Sequence, residues 1–529
     1  MSVSKNNNTF HYWEKLEIEP ADLNHLSNHL FETELPLTIQ ELSKVLVLFR
    51  QDQIRKHEAA LEAEAGMAYQ PKNTYQVADK IRFTELDDQI GVVISLRESV
   101  NPAMPAFQVA EIEFEDGSVR NFATQLEDHQ LNEKDLSQKS SADESVDAIM
   151  LLHGKQLQQK LRAALDNQSE LIRIGDTWFP QSLLIDLGPG YLNIAEAILD
   201  SMGGGPLSIE DMMEQLEIGS NTNNKKLLAF SLNYALEEDP RFDEVGTTGK
   251  FSWFLRRLEP EEVLNKPLYL TADDPKPIDQ ELPEDFFNLL YDLDDELSFS
   301  IEEINDAERA DTISLTLTYP HWRSGSLPVT PNTNQVFPSA LESQNVKIAF
   351  IDEQSQSTIS AWLVREGNYV IGLRDWFEEK NLIPGSIIDI TATGDPGLMK
   401  ISPQRKRTNK EWIKTVLVGA DGGLVFALLR QPIYAGFNER MAIAIPDVSG
   451  LDAVWKARQN KTPALKADVM RMMTELSKLN NQRHVHFIDL YAAMNIFRRT
   501  TPMDLLDVLI SNEDFFHVGD NYFHITEKA

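Results

Sequence analysis

The chain contains no cysteine, which excludes disulfides, thiolate zinc sites and cysteine nucleophiles, and which suits a reducing compartment. It also lacks any run of about 18 apolar residues, so no transmembrane helix is expected. The opening stretch MSVSKNNNTFHYWEK has no apolar segment of the kind a secretory signal needs. Positive charge is scarce: 49 Lys and Arg stand against 83 Asp and Glu, a formal charge of -34. That field opposes indiscriminate binding to polyanions, although a local basic patch escapes it beyond a Debye length of about 8 Å. The expectation is a cytoplasmic protein with no membrane partner. Its 529 residues, 42% hydrophobic, suffice for several globular cores.

Thr38, with Glu41 three residues on, reads as the cap of a helix that runs through HEAALEAEAG and stops at Gly66. Residues 1–70 are read as a helical N-terminal arm. Over 74–130 the pattern changes to short alternating strands, KIRF, IGVVISLR and FQVAEIEFEDGSVRNFA, with Asp116-Gly117 as a hairpin turn. This stretch resembles small Tudor-like barrels, which bind protein or nucleic acid. Residues 273–311 hold fifteen acids against Lys276 and Arg309 and are read as a solvated acidic linker. Within it, FFNLLYDL sets apolar anchors for a short helix that docks on a basic partner.

One phrase occurs twice. Aligning Gly246 with Gly519 superposes Phe242 on Phe515, Leu236 on Leu509 and Leu232 on Leu505. Farther back, IEDMMEQLEI (209–218) lies against FIDLYAAMNI (487–496). The loop between differs by five residues, an inexpensive difference in an exposed connection. Ser208 with Asp211, and Thr501 with Pro502 and Asp504, are helix starts. Three helices and a hairpin constitute a winged-helix arrangement, in which Val245 or Val518 points inward and Trp253 or Phe523 returns over the helices. A partial third copy is visible in Leu161, Leu165 and Leu171, at the same offsets from Gly175. Winged-helix domains are therefore expected at 140–262, with a preceding helix and hairpin, and at 446–529.

PLSIEDMMEQL, NYALEEDPRFDEVG and FSWFLRRLEP resemble the winged-helix domain of the delta subunit of bacterial RNA polymerase and its HARE-HTH relatives, over about 190–262 and more weakly over 464–529. The resemblance implies docking on a protein partner, RNA polymerase, with an acidic region modulating nucleic-acid binding. Base reading would use the third helix. In PMDLLDVLISNED that helix offers Asp504 and Asp507, and in the first module Asn233, Lys225 and Lys226 are followed by Glu237 and Glu238, so protein docking is favoured.

Residues 312–445 read as β-rich, with an extension. HWRSGSLPVTPNTNQVFP, YVIGLRDWF and LIPGSIIDI resemble the pseudobarrel DNA-binding domain of plant auxin-response factors and some restriction enzymes. The resemblance implies DNA contact through basic residues, and the candidates are Arg323, Lys347, Arg365, Arg374, Arg405, Lys406 and Arg407. Trp362, Tyr369, Trp376 and Phe377 follow strand or helix spacing and are assigned to the core.

Catalytic spacings are not found. HEAAL lacks the second His of a zincin, GPGYLN lacks the third glycine of a dinucleotide loop, and Glu378-Glu379-Lys380 is a helix surface. His484, His486, His517 and His524 are read as ordinary surface histidines. No catalytic, metal or cofactor residue is therefore assigned. The expected fold class is multi-domain α+β, with two winged-helix domains, a central pseudobarrel and a small Tudor-like β-barrel. The expected function is that of a non-enzymatic, transcription- or chromosome-associated interaction protein. The alternatives are a sequence-specific DNA-binding regulator and an enzyme whose carboxylates spacing does not reveal.

Overall fold

At Thr38 the backbone N–H donates to Glu41 Oε2 (2.8 Å) while Glu41 N–H donates to Thr38 Oγ1 (3.2 Å), and the helix Ile39–Ala65 follows. In the computed structural model the described residues are 10–65, 67–86, 89–100, 106–133, 145–218, 224–247, 249–272, 284–298, 310–340, 343–419, 422–459 and 464–526. The architecture is mixed α+β. The chain divides into two compact units, residues 1–186 with 223–231, and residues 187–222 with 232–529.

One order of elements occurs three times: helix, two-residue strand, helix, helix, hairpin. In module A these are Pro20–Thr33, Leu37–Thr38, Ile39–Ala65, Val146–Leu165 and the strands Leu171–Ile174 and Thr177–Pro180. Module B uses Pro189–Ser201, Leu207–Ser208, Ile209–Gln215, Lys225–Glu237, Phe242–Glu244 and Ser252–Leu255. Module C uses Leu465–Ser477, Val485–His486, Phe487–Asn495, Pro502–Ser511, Phe515–Gly519 and Tyr522–Ile525. In all three, the last strand is the centre of a three-stranded antiparallel sheet. The short strand sets an aliphatic residue opposite an aromatic one: Leu37 on Trp178, Leu207 on Trp253, Val485 on Phe523. The leucines at matched offsets, Leu161 and Leu165, Leu232 and Leu236, Leu505 and Leu509, are all buried.

Residues 10–65 are therefore more than an arm. Trp13, Leu26, Leu30, Leu42 and Leu46 share one core with Leu157, Leu161, Leu165 and Trp178. The apparent partial copy is completed by helices that lie before the small sheet in sequence. A second difference concerns the hairpins. Val245 is buried, because the module B hairpin joins an apolar cluster with Trp362, Val364 and Ile371, but Val518 is 44% exposed.

The insertion within module A is a five-stranded sheet in sequential order: Met67–Ala68, Lys80–Phe83, Gln89–Glu98, Gln108–Phe114 and Val119–Thr124. Gly117 supplies the positive φ (77°) that the Asp116-Gly117 turn requires. The two edges are brought together where Tyr69 Oη donates to Ala123 O (2.6 Å) and Leu126 N–H to Pro71 O (2.8 Å).

In the second unit, seven strands curl into a half-barrel. Their order across the sheet is Thr312–Thr316, Ile387–Ala392, Leu398–Pro403, Asn345–Asp352, Thr358–Val364, Tyr369–Ile371 and Ser326–Pro328. Alternation along Asn345–Asp352 turns Val346, Ile348 and Phe350 inward. Trp376 and Phe377, from the helix Arg374–Glu379, close the core as the sequence indicates, and Trp362 and Tyr369 are likewise buried. A long ribbon, Arg405–Val418 paired with Leu424–Ala435, leaves this sheet.

Residues 284–298 depart from the solvated-linker expectation. The helix Glu284–Leu293 inserts Phe286, Leu289 and Leu290 into the module C core, so the apolar anchors dock within the chain. Asp295 and Glu296 then meet Arg499, whose side chain is 1% exposed, at 2.7 and 2.8 Å. Tyr491 Oη donates to Asp295, and His321 Nε2 lies 3.2 Å from Glu296. Burial of these carboxylates is tolerated because each has a cationic neighbour. Arg499→Ala leaves two buried acids without their guanidinium. It is expected to lower the stability of the second unit by about 3–5 kcal/mol in denaturant unfolding. Lys478→Ala, which breaks a surface pair with Glu475, should cost less than about 1 kcal/mol.

Candidate nucleic-acid interface

The ribbon is pinned at both ends. Val416, Leu424 and Phe426 join the module C core, and Ile413 and Ile433 pack with Ala442 and Ala444. Between these anchors its surface is open. Trp412 is 67% exposed and lies opposite Arg430, whose guanidinium carbon is 6.0 Å from the indole centroid, and Lys410 faces Pro432. Nearer the half-barrel, the register jumps: Arg405 pairs with Ala435 but Asn409 with Ile433, so a bulge spans the basic triplet. Bulges bend a strand and redirect its side chains. Tyr434, 47% exposed, lies across from this bulge. Arg405, Arg407 and Lys410 make no ion pair among the described residues and are exposed.

The seven residues read from the sequence do not form one patch. Arg323 donates through Nε and Nη2 to both oxygens of Asp452 (2.9 and 2.6 Å), and this pairing raises its pKa further. Arg365 Nη1 donates to Ala340 O (2.8 Å), and Arg374 Nη2 donates to Ser324 O (3.3 Å) at the end of the helix Tyr319–Ser324, so both are engaged within the chain. Lys347 has its ammonium 4.2 Å from the Trp362 ring centroid and 5.9 Å from that of Phe254. Burial lowers its pKa to about 8. Of the remaining three, Lys406 is shared between Glu411 (3.3 Å) and the face of Phe437 (3.9 Å), and Arg405 and Arg407 are open. The ribbon thus keeps one part of the candidate set and adds Lys410, Trp412, Arg430 and Tyr434. The sequence signal that could have found them is the Asp421-Gly422 dipeptide between two strand-forming segments, a pattern that marks a hairpin.

The third helices of modules B and C are occupied. Asn233 is buried and accepts from Trp253 Nε1 (2.8 Å). Lys226 Nζ lies 3.2 Å from Glu41. Asp504 N–H donates to Thr501 Oγ1 (3.0 Å) and the Thr501 hydroxyl returns to Asp504 (2.7 Å). Lys380 binds the buried Asp352 at 2.6 Å. His484 stacks on His524 with centroids 5.8 Å apart, and His486 accepts from Ile488 N–H (3.2 Å), with burial lowering its pKa to about 4. Among the described residues, no group of three His, Asp or Glu is arranged to hold a metal ion, and no helix is long and apolar enough to cross a membrane. Comparison of the chain with protein-family profiles, curated proteins and solved structures finds no match.

Beside Lys347, Glu259 is 6% exposed, and burial together with the Asp243 carboxylate pushes its pKa up to about 8. A carboxyl raised in the folded state binds a proton that the unfolded chain has released. Its contribution to stability is accordingly lost as pH rises from about 4.5 to about 8. Glu259→Gln, which mimics the protonated group, should raise Tm relative to the native chain by an increment that grows across this window. Thermal melts at pH 5 and pH 8 check the sign.

Proposed function

We propose that this chain is a non-enzymatic, cytoplasmic interaction protein associated with transcription or the chromosome. Modules A, B and C serve as winged helices that dock on protein, and the half-barrel is a pseudobarrel whose ribbon contacts nucleic acid. The partner implied by the delta-subunit resemblance is RNA polymerase. What supports docking over groove reading is the occupation of the third helices: Asn233 is buried against Trp253, Lys226 is paired with Glu41 at the surface, and Asp504 would face phosphate with the wrong charge.

The observation that carries the nucleic-acid part is local charge. Residues 404–435 hold Arg405, Lys406, Arg407, Lys410, Lys414 and Arg430 against Glu411 and Asp421, a net of +4 on a chain of -34. Lys414 is engaged with Asp489, so the exposed arginines and Lys410 form the accessible part. A sequence-specific regulator is the second reading, favoured by the part of the ribbon that lies clear of the third strand, Ile443–Ala444, which pairs with Lys414–Thr415, because a two-stranded ribbon fits the major groove.

The test is fluorescence anisotropy with a short DNA over a salt series. Combined Arg405→Ala, Arg407→Ala and Lys410→Ala should weaken binding and reduce the slope of log affinity on log salt by roughly 0.9 for each phosphate that is no longer neutralised. A native chain that ignores DNA at low salt would remove the nucleic-acid part. Native purification in which polymerase subunits fail to co-elute would remove the polymerase partner.

A further inference from the structure

Where the ribbon meets the half-barrel there is an open concavity of about 390 Å³, at the lower end of the roughly 300–1,000 Å³ found for small-ligand sites. Its walls are Gln354, Pro403, Gln404, Arg405, Arg407 and Tyr434, with Lys406 beside them, and none is acidic. We infer that this concavity holds a single unstacked nucleotide of a single-stranded nucleic acid, its base on the Tyr434 ring and its phosphate between Arg405 and Arg407. The inference rests on the reading of the ribbon as a nucleic-acid contact and narrows it to one site and one form of ligand.

Three features converge. The bulge between Arg405 and Asn409 sets the basic residues around Tyr434 rather than in line along the strand. A half-exposed tyrosine that lines one concavity with two arginines, neither in an ion pair among the described residues, is the chemistry of a stacking platform beside a phosphate. Gln354 and Gln404 bring amide groups that both donate and accept, as a base edge requires.

The frame is rigid. Gln404 N–H donates to Ile387 O (2.9 Å) and Gly436 N–H to Gln404 O (2.8 Å), tying the ribbon root to the half-barrel. Gln354 follows Asp352, to which it donates its N–H (3.1 Å), and Asp352 is itself clamped by Lys380. A site held by such elements keeps its geometry without the ligand. Stacking on one ring also explains a depression sized for one nucleotide rather than for a paired stem, since a paired base offers no free face.

The experiment measures affinity and salt slope of the full chain for three probes: a short single-stranded oligonucleotide, the matching duplex, and AMP. Tyr434→Ala should weaken single-strand binding roughly tenfold or more with the salt slope unchanged, whereas Tyr434→Phe should stay within about twofold. Arg405→Ala with Arg407→Ala should lower the single-strand slope by roughly 0.7 for each phosphate released from its arginine. Duplex binding should be indifferent to Tyr434→Ala. Saturable AMP binding that Tyr434→Ala removes would support the site and assign it to free nucleotide as well. Single-strand binding unaffected by Tyr434→Ala, with the arginine effect intact, overturns the nucleotide site alone. Absence of binding to both oligonucleotides overturns the ribbon reading and this inference together. Unchanged thermal melting of Tyr434→Ala confirms that its weaker binding does not come from unfolding.

Discussion

Each of the three modules is closed by one cross-strand contact, an aliphatic residue on a two-residue strand against an aromatic residue on the last strand. The strand is too short to be held by its own ladder. What holds it is the aromatic ring, fully buried in Trp178, Trp253 and Phe523, which withdraws apolar surface from water beside the paired leucines of the third helix. Trp253 also satisfies its indole N–H on Asn233, so burial leaves no orphan donor there. Because this closure depends on side chains and not on the length of the connections, module A accommodates a complete five-stranded sheet between its second and third helices.

Charge is sorted by the same packing. The overall field of the chain is strongly negative, yet acids and bases are not spread evenly. Asp295 and Glu296 are inside with Arg499, and Arg323 is committed to Asp452. The ribbon, by contrast, carries bases with few acids, and its anchors at Ile413, Lys414, Val416, Leu424, Phe426 and Ile433 leave Arg405, Arg407, Lys410 and Arg430 exposed. Beyond a Debye length of about 8 Å the distant acids are screened, so a compact basic surface retains its own attraction for phosphate.

The likeness of modules B and C was legible because their apolar residues keep fixed offsets from Gly246 and Gly519. Half of module A was hidden by distance. Leu37-Thr38-Ile39 parallels Leu207-Ser208-Ile209 and Val485-His486-Phe487, each with an acid two residues on, at Glu41, Asp211 and Asp489, but the inserted sheet separates it from its own third helix. At the candidate interface the basic triplet was visible as charge. Tyr434 and Trp412 were not, because they join it only through a hairpin register that a bulge alters. Arg323 and Lys347 looked like open bases for the converse reason: Asp452 and Glu259 lie about ninety to a hundred and thirty residues away.

Local physics was carried by the sequence alone. Thr38, Ser208 and Thr501 start their helices by bonding an N–H three residues on, and Asp116-Gly117 turns a hairpin, since these conformations depend on neighbours within a few residues. Tertiary structure decided which charges are spent and which are offered. Arg499 and Arg407 are the same residue type in similarly polar stretches, but one is enclosed with Asp295 and Glu296, some two hundred residues earlier, while the other stands on a bulged strand in water. Desolvation energy depends on what surrounds a group in space, and that is set by packing between segments far apart in the chain.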